Sequence, residues 1–236
     1  MPKERIPLWV MCGAVVLAFC AGMLNVIALM GFTNVSASHV TGNVSLLVTS
    51  LMSGDWINVR LFLISIAAFW SGSVLSGMII GSSELNINRN YGYAMYLEAF
   101  LLIASLLLYL TDSFFGQMMI AMACGLQNSM VTTYSGTVVR TTHLTGTTSD
   151  LGAAVGRWLM GGQVSLPKIV LQSALWWGFF GGGFVAVVLY ARFGFLSMVL
   201  PITVILFAAM TYQQLGRCFM HYKTLLKHKL AQKNNP

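Results

Sequence analysis

The sequence predicts an all-α integral membrane protein with six transmembrane helices plus two half-length helices, arranged as an inverted 3+3 repeat. Three observations carry that expectation. The 236 residues are 57% hydrophobic and only 8% charged, whereas ordinary soluble domains carry about a quarter charged residues. Several apolar runs reach the roughly 20 residues that a helix rising about 1.5 Å per residue needs to cross about 30 Å of hydrocarbon. One polar phrase is also spelled twice, as "HVTGNVSLL" from His39 and "HLTGTTSDL" from His143.

Taken in chain order, the apolar runs place crossings at residues 8–30, 59–80, 91–110, 114–134, 169–190 and 195–212, each closed by polar, glycine or charged residues. The stretches "NVSASHVTGNVSLLVTSLMSG" and "TVVRTTHLTGTTSDLGAAVGRWLMGG" lie between crossings and open on residues too polar for a lipid-facing helix. Helices over 42–53 and 146–160 would be about 18 Å and 22 Å long, short of a full crossing. They are therefore expected to enter from opposite faces and to end near the bilayer midplane.

The echo extends beyond the phrase itself. "AGMLN" ending at Asn25 is answered by "CGLQN" ending at Asn128, "LMSG" from Leu51 by "LMGG" from Leu159, and "WSGSVLSG" from Trp70 loosely by "WGFFGGG" from Trp177. Residues 1–112 thus read as a first repeat of span, half helix and two spans, 113–214 as a second, inverted repeat, and 215–236 as a basic cytoplasmic tail.

Positive charge supports the same topology. With both termini cytoplasmic, Lys3, Arg5, Arg89, Arg140, Arg157, Lys168 and the tail cations Arg217, Lys223, Lys227, Lys229 and Lys233 fall inside, leaving only Arg60 and Arg192 outside. A count of eight full spans also moves Arg89 and Arg140 outside and brings Arg60 in, so charge separates the two topologies by a small margin. The formal net charge of +7 is concentrated in the tail, which fits anionic lipid headgroups and the positive-inside rule. No nucleic-acid partner is expected. The four cysteines include no C-x-x-C pair and supply neither a disulfide framework nor a metal site.

The phrase has the chemistry of a solute site. Extended backbone at membrane depth is tolerable only against protein or a water-filled cavity, because an unpaired peptide group in hydrocarbon costs several kcal/mol. The threonine two residues after each histidine is expected to cap the helix, and the glycine after it to let backbone or solute approach closely. The positive ends of two short helices would then face an anion or the negative end of a polar solute. The expected lining is Ser38, His39, Thr41, Gly42, Asn43 and Ser45 from one half. From the other come Arg140, Thr142, His143, Thr145, Gly146, Thr147 and Ser149, with Asn25 and Asn128 bracing from the preceding spans.

The halves differ where Ser36 answers to Arg140, Asn43 to Thr147 and Leu46 to Asp150. Arg140 can attract an anion and Asp150 can carry a cation or proton, or the two can pair with each other. The histidines can relay protons or simply hold a loop carbonyl. Glu98, the one acid in mid-span, is a second coupling candidate beside Asp150, or else a helix-to-helix hydrogen bond. Small residues at Ser73, Gly77 and Gly81, and at Gly178 and Gly182, are expected to pack helices closely.

At "HVTGN", and above all at "GLQNSMVTTYSGTVVRTTHLTGTTSDLG", the chain resembles the YoaK family of bacterial membrane proteins, catalogued as domain of unknown function family 1275. The resemblance covers nearly the whole chain and implies about six spans in the bacterial inner membrane. It brings no activity with it. In architecture the chain is also similar to the core of sulfate-permease and nucleobase transporters, although much shorter and without a separate gate domain.

The expected function is therefore a small secondary transporter or facilitator for an anion or small polar solute, with proton coupling as an option. The alternatives are an ion or solute channel and a non-transporting membrane scaffold or sensor. No nucleophile elbow, metal motif or nucleotide loop supports an enzyme, and no cofactor or metal is expected. A second copy can serve as the missing scaffold, so a homodimer is an expected alternative to the monomer.

Overall fold

The computed structural model describes residues 8–33, 35–81, 90–134 and 141–233, giving only the helical backbone at 9, 10, 133, 134 and 217–233. All regular structure among these residues is helical: α1 (Leu8–Met30), α2 (Val40–Ser53), α3 (Trp56–Ile80), α4 (Tyr91–Leu110), α5 (Phe115–Tyr134), α6 (Leu144–Leu159), α7 (Leu166–Phe193) and α8 (Val199–Lys233). A 3-10 turn, Gly194–Met198, joins α7 to α8. Four described stretches are long and apolar enough to cross a bilayer: Met11–Met30, Trp56–Ile80, Tyr91–Leu110 and Leu166–Gly216. The last of these contains all of α7, the 3-10 turn and the first part of α8. α5, which carries Gln117, Gln127 and Asn128, is not among them.

Local chemistry sets the short connections. α2 stops at Gly54, whose φ of 71° lies in the left-handed region that glycine adopts without strain, and its N–H returns to the Leu51 carbonyl. Asp55 follows at once as the N-cap of α3, accepting from the Asn58 backbone N–H at 3.2 Å and from its side-chain amide at 2.6 Å.

Contacts at the helix ends fix directions. The Asn90 side chain donates to the Ile79 carbonyl, so α4 starts where α3 ends and the two run oppositely. Ser105 donates to the Gly116 carbonyl and Tyr109 to Gln117, which makes α4 and α5 antiparallel. The Tyr190 hydroxyl donates to the Met30 carbonyl, which places the C-terminal ends of α1 and α7 side by side. α4 and α8 are antiparallel, with Tyr91 against Tyr212 at one end and Tyr109 stacked on Phe195, centroids 4.0 Å apart, at the other.

The closest packing joins α1 to α7 and α3 to α5. Gly22 lies on the Phe179 carbonyl while Gly182 lies on the Phe19 carbonyl, so a Cβ at either position would collide with backbone. In the other pair, Gly72 lies on the Met122 carbonyl and Gly125 on the Phe69 carbonyl. Each pair is thus a parallel crossing in which two glycines, each three residues beyond the opposing carbonyl, let the backbones touch.

Gly22 and Gly125 are the equivalent residues of "AGMLN" and "CGLQN", so the two crossings are the same contact made twice. They also correct two expectations. The residue of α3 that lets the backbones touch is Gly72, with Ser76 fully buried; of the expected set Ser73 does meet α5, donating to the Gly125 carbonyl at 3.1 Å, whereas Gly77 and Gly81 face open space. The equivalence of the later spans pairs Gly72 with Gly182, three residues away from the Trp70-to-Trp177 alignment. Because each pair takes one helix from residues 1–112 and one from 113–214, neither stretch is a self-contained packing unit.

Candidate functional site

Both copies of the phrase open a short helix, and they do so two residues earlier than its polar residues suggest. α2 begins at Val40 and α6 at Leu144, so His39 and His143 are the N-cap residues and Thr41 and Thr145 sit inside the first turn. The expectation that the threonines cap is overturned. The histidine carbonyls accept the first helical bonds, from Asn43 N at 3.0 Å and Thr147 N at 3.1 Å, and neither cap side chain bonds the helix start.

Where the imidazoles go instead explains the glycine. A Cβ built on Gly42 would collide with Cδ2 of His39, and one built on Gly146 with Nε2 of His143. Each ring is folded over the first turn of its own helix, resting on the position that only glycine leaves empty. The repeated phrase encodes one construction: a histidine cap whose ring covers an uncapped helix start.

The approach to α2 is held by a dense set of hydrogen bonds. Asn25 Oδ1 accepts from Ser36 Oγ at 2.6 Å, Ser38 Oγ at 2.9 Å and the Ser38 backbone N–H at 3.2 Å. Ser36 Oγ accepts in turn from His39 N–H at 3.1 Å, and the buried Asn43 amide donates to the Ser36 carbonyl at 3.0 Å. Asn25 lies more than one turn before the end of α1, so the chain that leaves α1 at Met30 folds back along it before α2 starts. Gln117, fully buried on α5, donates to the Val35 carbonyl and accepts from Tyr109 Oη at 2.6 Å. Sequence reading missed Gln117; its signal was an amide in the first turn of an apolar run.

In the second half Arg140 lies outside the described residues. Among the described residues, Asn128 Oδ1 and Thr141 Oγ1 are buried without a hydrogen-bond partner, and Thr142 and His143 carry no bond matching those of Ser38. Asp150 is tied to α7 by an ion pair with Lys168 at 3.1 Å and by the Gln172 amide at 2.8 Å. Trp176 Nε1 donates to Thr148 Oγ1 nearby, at 3.3 Å. The sequence alone offered Asp150 to Arg140, to a cation or to a proton; Lys168 and Gln172, four residues apart at the start of α7, are the partners it did not reveal.

Thr41, Ser45 and Thr49 form an exposed polar stripe on α2, and Thr145 and Ser149 begin a matching one on α6. α2 packs on α3 and α6 on α7, and the two short helices do not touch each other. The lining residues that lie on these two helices are therefore not brought together. Glu98 belongs to neither: it is fully buried on α4, in the core of the bundle.

A family model described as "Protein of unknown function (DUF1275)" matches residues 13–212. The chain belongs to the DUF1275 family. This is the family to which "HVTGN" and the longer phrase around His143 pointed. The DUF1275 match begins inside α1 and ends inside α8, so it takes in both glycine crossings and both histidine caps. Comparison with curated proteins and with solved structures finds no match.

Proposed function

We propose that this DUF1275 protein is a small secondary transporter or facilitator that binds an anion or small polar solute at its two histidine-capped helix starts. The observation that carries the reading is their twofold construction: the same ring over the same glycine, on the same uncapped helix end, in a chain otherwise dominated by apolar residues. Uncapped first-turn N–H groups attract negative charge. The hydroxyl stripes continuing down α2 and α6 offer a polar path where lipid would disfavour one.

In this reading α1, α3, α4, α5, α7 and α8 cross the bacterial inner membrane, α2 and α6 enter it from opposite faces, and both termini are cytoplasmic. The helix directions support an inverted repeat. α1 and α7 run one way while their counterparts α5 and α3 run the other, and the approach to α2 lies at the opposite end of the bundle from the approach to α6.

The test is thermal stabilisation of the purified protein in detergent by chloride, nitrate, phosphate, acetate, nucleobases and amino acids at two pH values. Wild type, His143→Ala and Gly146→Leu are compared. A concentration-dependent shift that disappears in both variants supports the site. A shift that survives both of them removes it.

A further inference from the structure

Glu98 is the one acid buried in the described core, and the solute site makes no use of it. Among the described residues, both of its carboxyl oxygens are buried without a hydrogen-bond partner, and so is Oε1 of the fully buried Gln127 on α5. The α4–α5 register brings them to one level of the hairpin. Ser105 bonds Gly116 and Tyr109 bonds Gln117; followed down the hairpin, that pairing sets Glu98 level with residues 123–128 of α5. Glu98 is also within electrostatic reach of Cys20 on α1 and Cys124 on α5, and the Gln127 amide donates to the Leu17 carbonyl of α1 at 2.8 Å. Three acceptor oxygens without a donor among the described residues thus lie at one level of α4 and α5, on the stretch of α5 that packs against α1.

Acceptors without donors in a low-dielectric core call for a positive ligand. A hard metal cation takes about six oxygens, and α1, α4 and α5 are unbroken helices whose carbonyls are engaged in their own ladders. Three side-chain oxygens suit a single proton. The charged or titratable groups facing Glu98 are the Cys20 and Cys124 thiols; α3 and α8 bring none to it among the described residues.

We propose that Glu98 and Gln127 form a buried proton-binding site in which the protonated Glu98 carboxyl donates to the Gln127 side-chain carbonyl. Resting on the transport reading, this site supplies the coupling ion. Release breaks the carboxyl O–H bond, leaves a carboxylate and delivers the proton to water, which requires the seam between α1 and α5 to open. That seam separates the two glycine-crossed pairs, so a shift of one pair against the other opens the side of α5 that carries Gln127.

The experiment is infrared spectroscopy of the full-length protein in lipid at neutral pH, comparing wild type, Glu98→Gln and Gln127→Leu. Size exclusion and circular dichroism confirm that the variants fold. The expected result is a protonated-carboxyl C=O band that is absent in Glu98→Gln and displaced to higher frequency in Gln127→Leu. A carboxylate signature at Glu98 in the wild type overturns the proton site, and a band unmoved by Gln127→Leu overturns the pairing. Neither readout depends on a solute. A protonated band together with silence in the solute screen would retain the proton site and remove only the transport reading.

Discussion

A single methyl group at Gly182 should cost more than any surface change in this protein. An ideal Cβ there would overlap the Phe19 carbonyl and crowd its carbon and Cα. All three are backbone atoms of a buried helix, so no side chain can swing aside. Overpacking a filled core costs about 1–3 kcal/mol, and a rigid backbone contact belongs at the top of that range, so about 3 kcal/mol is expected for Gly182→Ala. Gly77→Ala is the control, because its Cβ meets nothing within 4 Å. It should be neutral or stabilising by up to about 1 kcal/mol from helix propensity. Gly22→Ala, on the same crossing, should add little once Gly182→Ala has already separated the helices, whereas Gly125→Ala, on the other crossing, should add in full. Denaturation in mixed micelles followed by circular dichroism measures all four. Equal effects at Gly182 and Gly77, or full additivity of Gly22→Ala with Gly182→Ala, would refute the crossing.

Asn25→Ala removes the acceptor shared by Ser36 and Ser38 and leaves buried donors unpaired, at about 1–3 kcal/mol. Hydrogen exchange should accelerate at the amides of Ser38 and His39 while the interior of α1 stays protected; unchanged exchange at those two amides would count against the tie. Asp55 gives a pH dependence. Bonds from the Asn58 backbone N–H and side-chain amide hold its carboxyl below the usual carboxylate range. A depressed folded-state value means that the contribution is complete above the unfolded value near about 4 and is lost as pH falls through the folded one. Asp55→Ala should therefore lower stability at neutral pH and flatten its acid dependence below about pH 4. An acid dependence identical to wild type would assign that slope to another carboxylate.

Much of the helix inventory was legible because apolar runs and breakers are local. The observed α1 and α4 match the runs 8–30 and 91–110, and α2 and α6 fall where the phrase announced short helices. The histidine caps were less legible. Threonine is the better capping residue by intrinsic preference, and only the ring lying over Gly42 reveals why the helix starts a residue after His39 instead. Which helices pair was not legible, although Gly182 and Ser73, both named for close packing, do lie at the crossings. Ser73, Gly77 and Gly81 satisfy small-residue spacing as well as Gly72 does, and which of them meets a neighbour depends on how α3 is rotated against α5. Spacing along one helix does not encode that rotation. Asp150 shows the same limit, since its partners Lys168 and Gln172 come from a different helix.

The crossings connect the two proposed sites mechanically. α1 is locked to α7, and α3 to α5, by contacts too close to slide without cost. The short helices are divided between these bodies, with α2 on α3 and α6 on α7. Yet the approach to α2 is fastened to both, through Asn25 on α1 and through Gln117 on α5. A displacement of the α1–α7 pair against the α3–α5 pair must therefore pull on Val35 to Ser38 from two sides, and through Ser36 on the backbone of His39. The same displacement acts at the α1–α5 seam, on the side of α5 that carries Gln127. A histidine cap and a buried carboxyl that share no direct contact would then respond to one motion, which is the linkage a proton-coupled carrier requires.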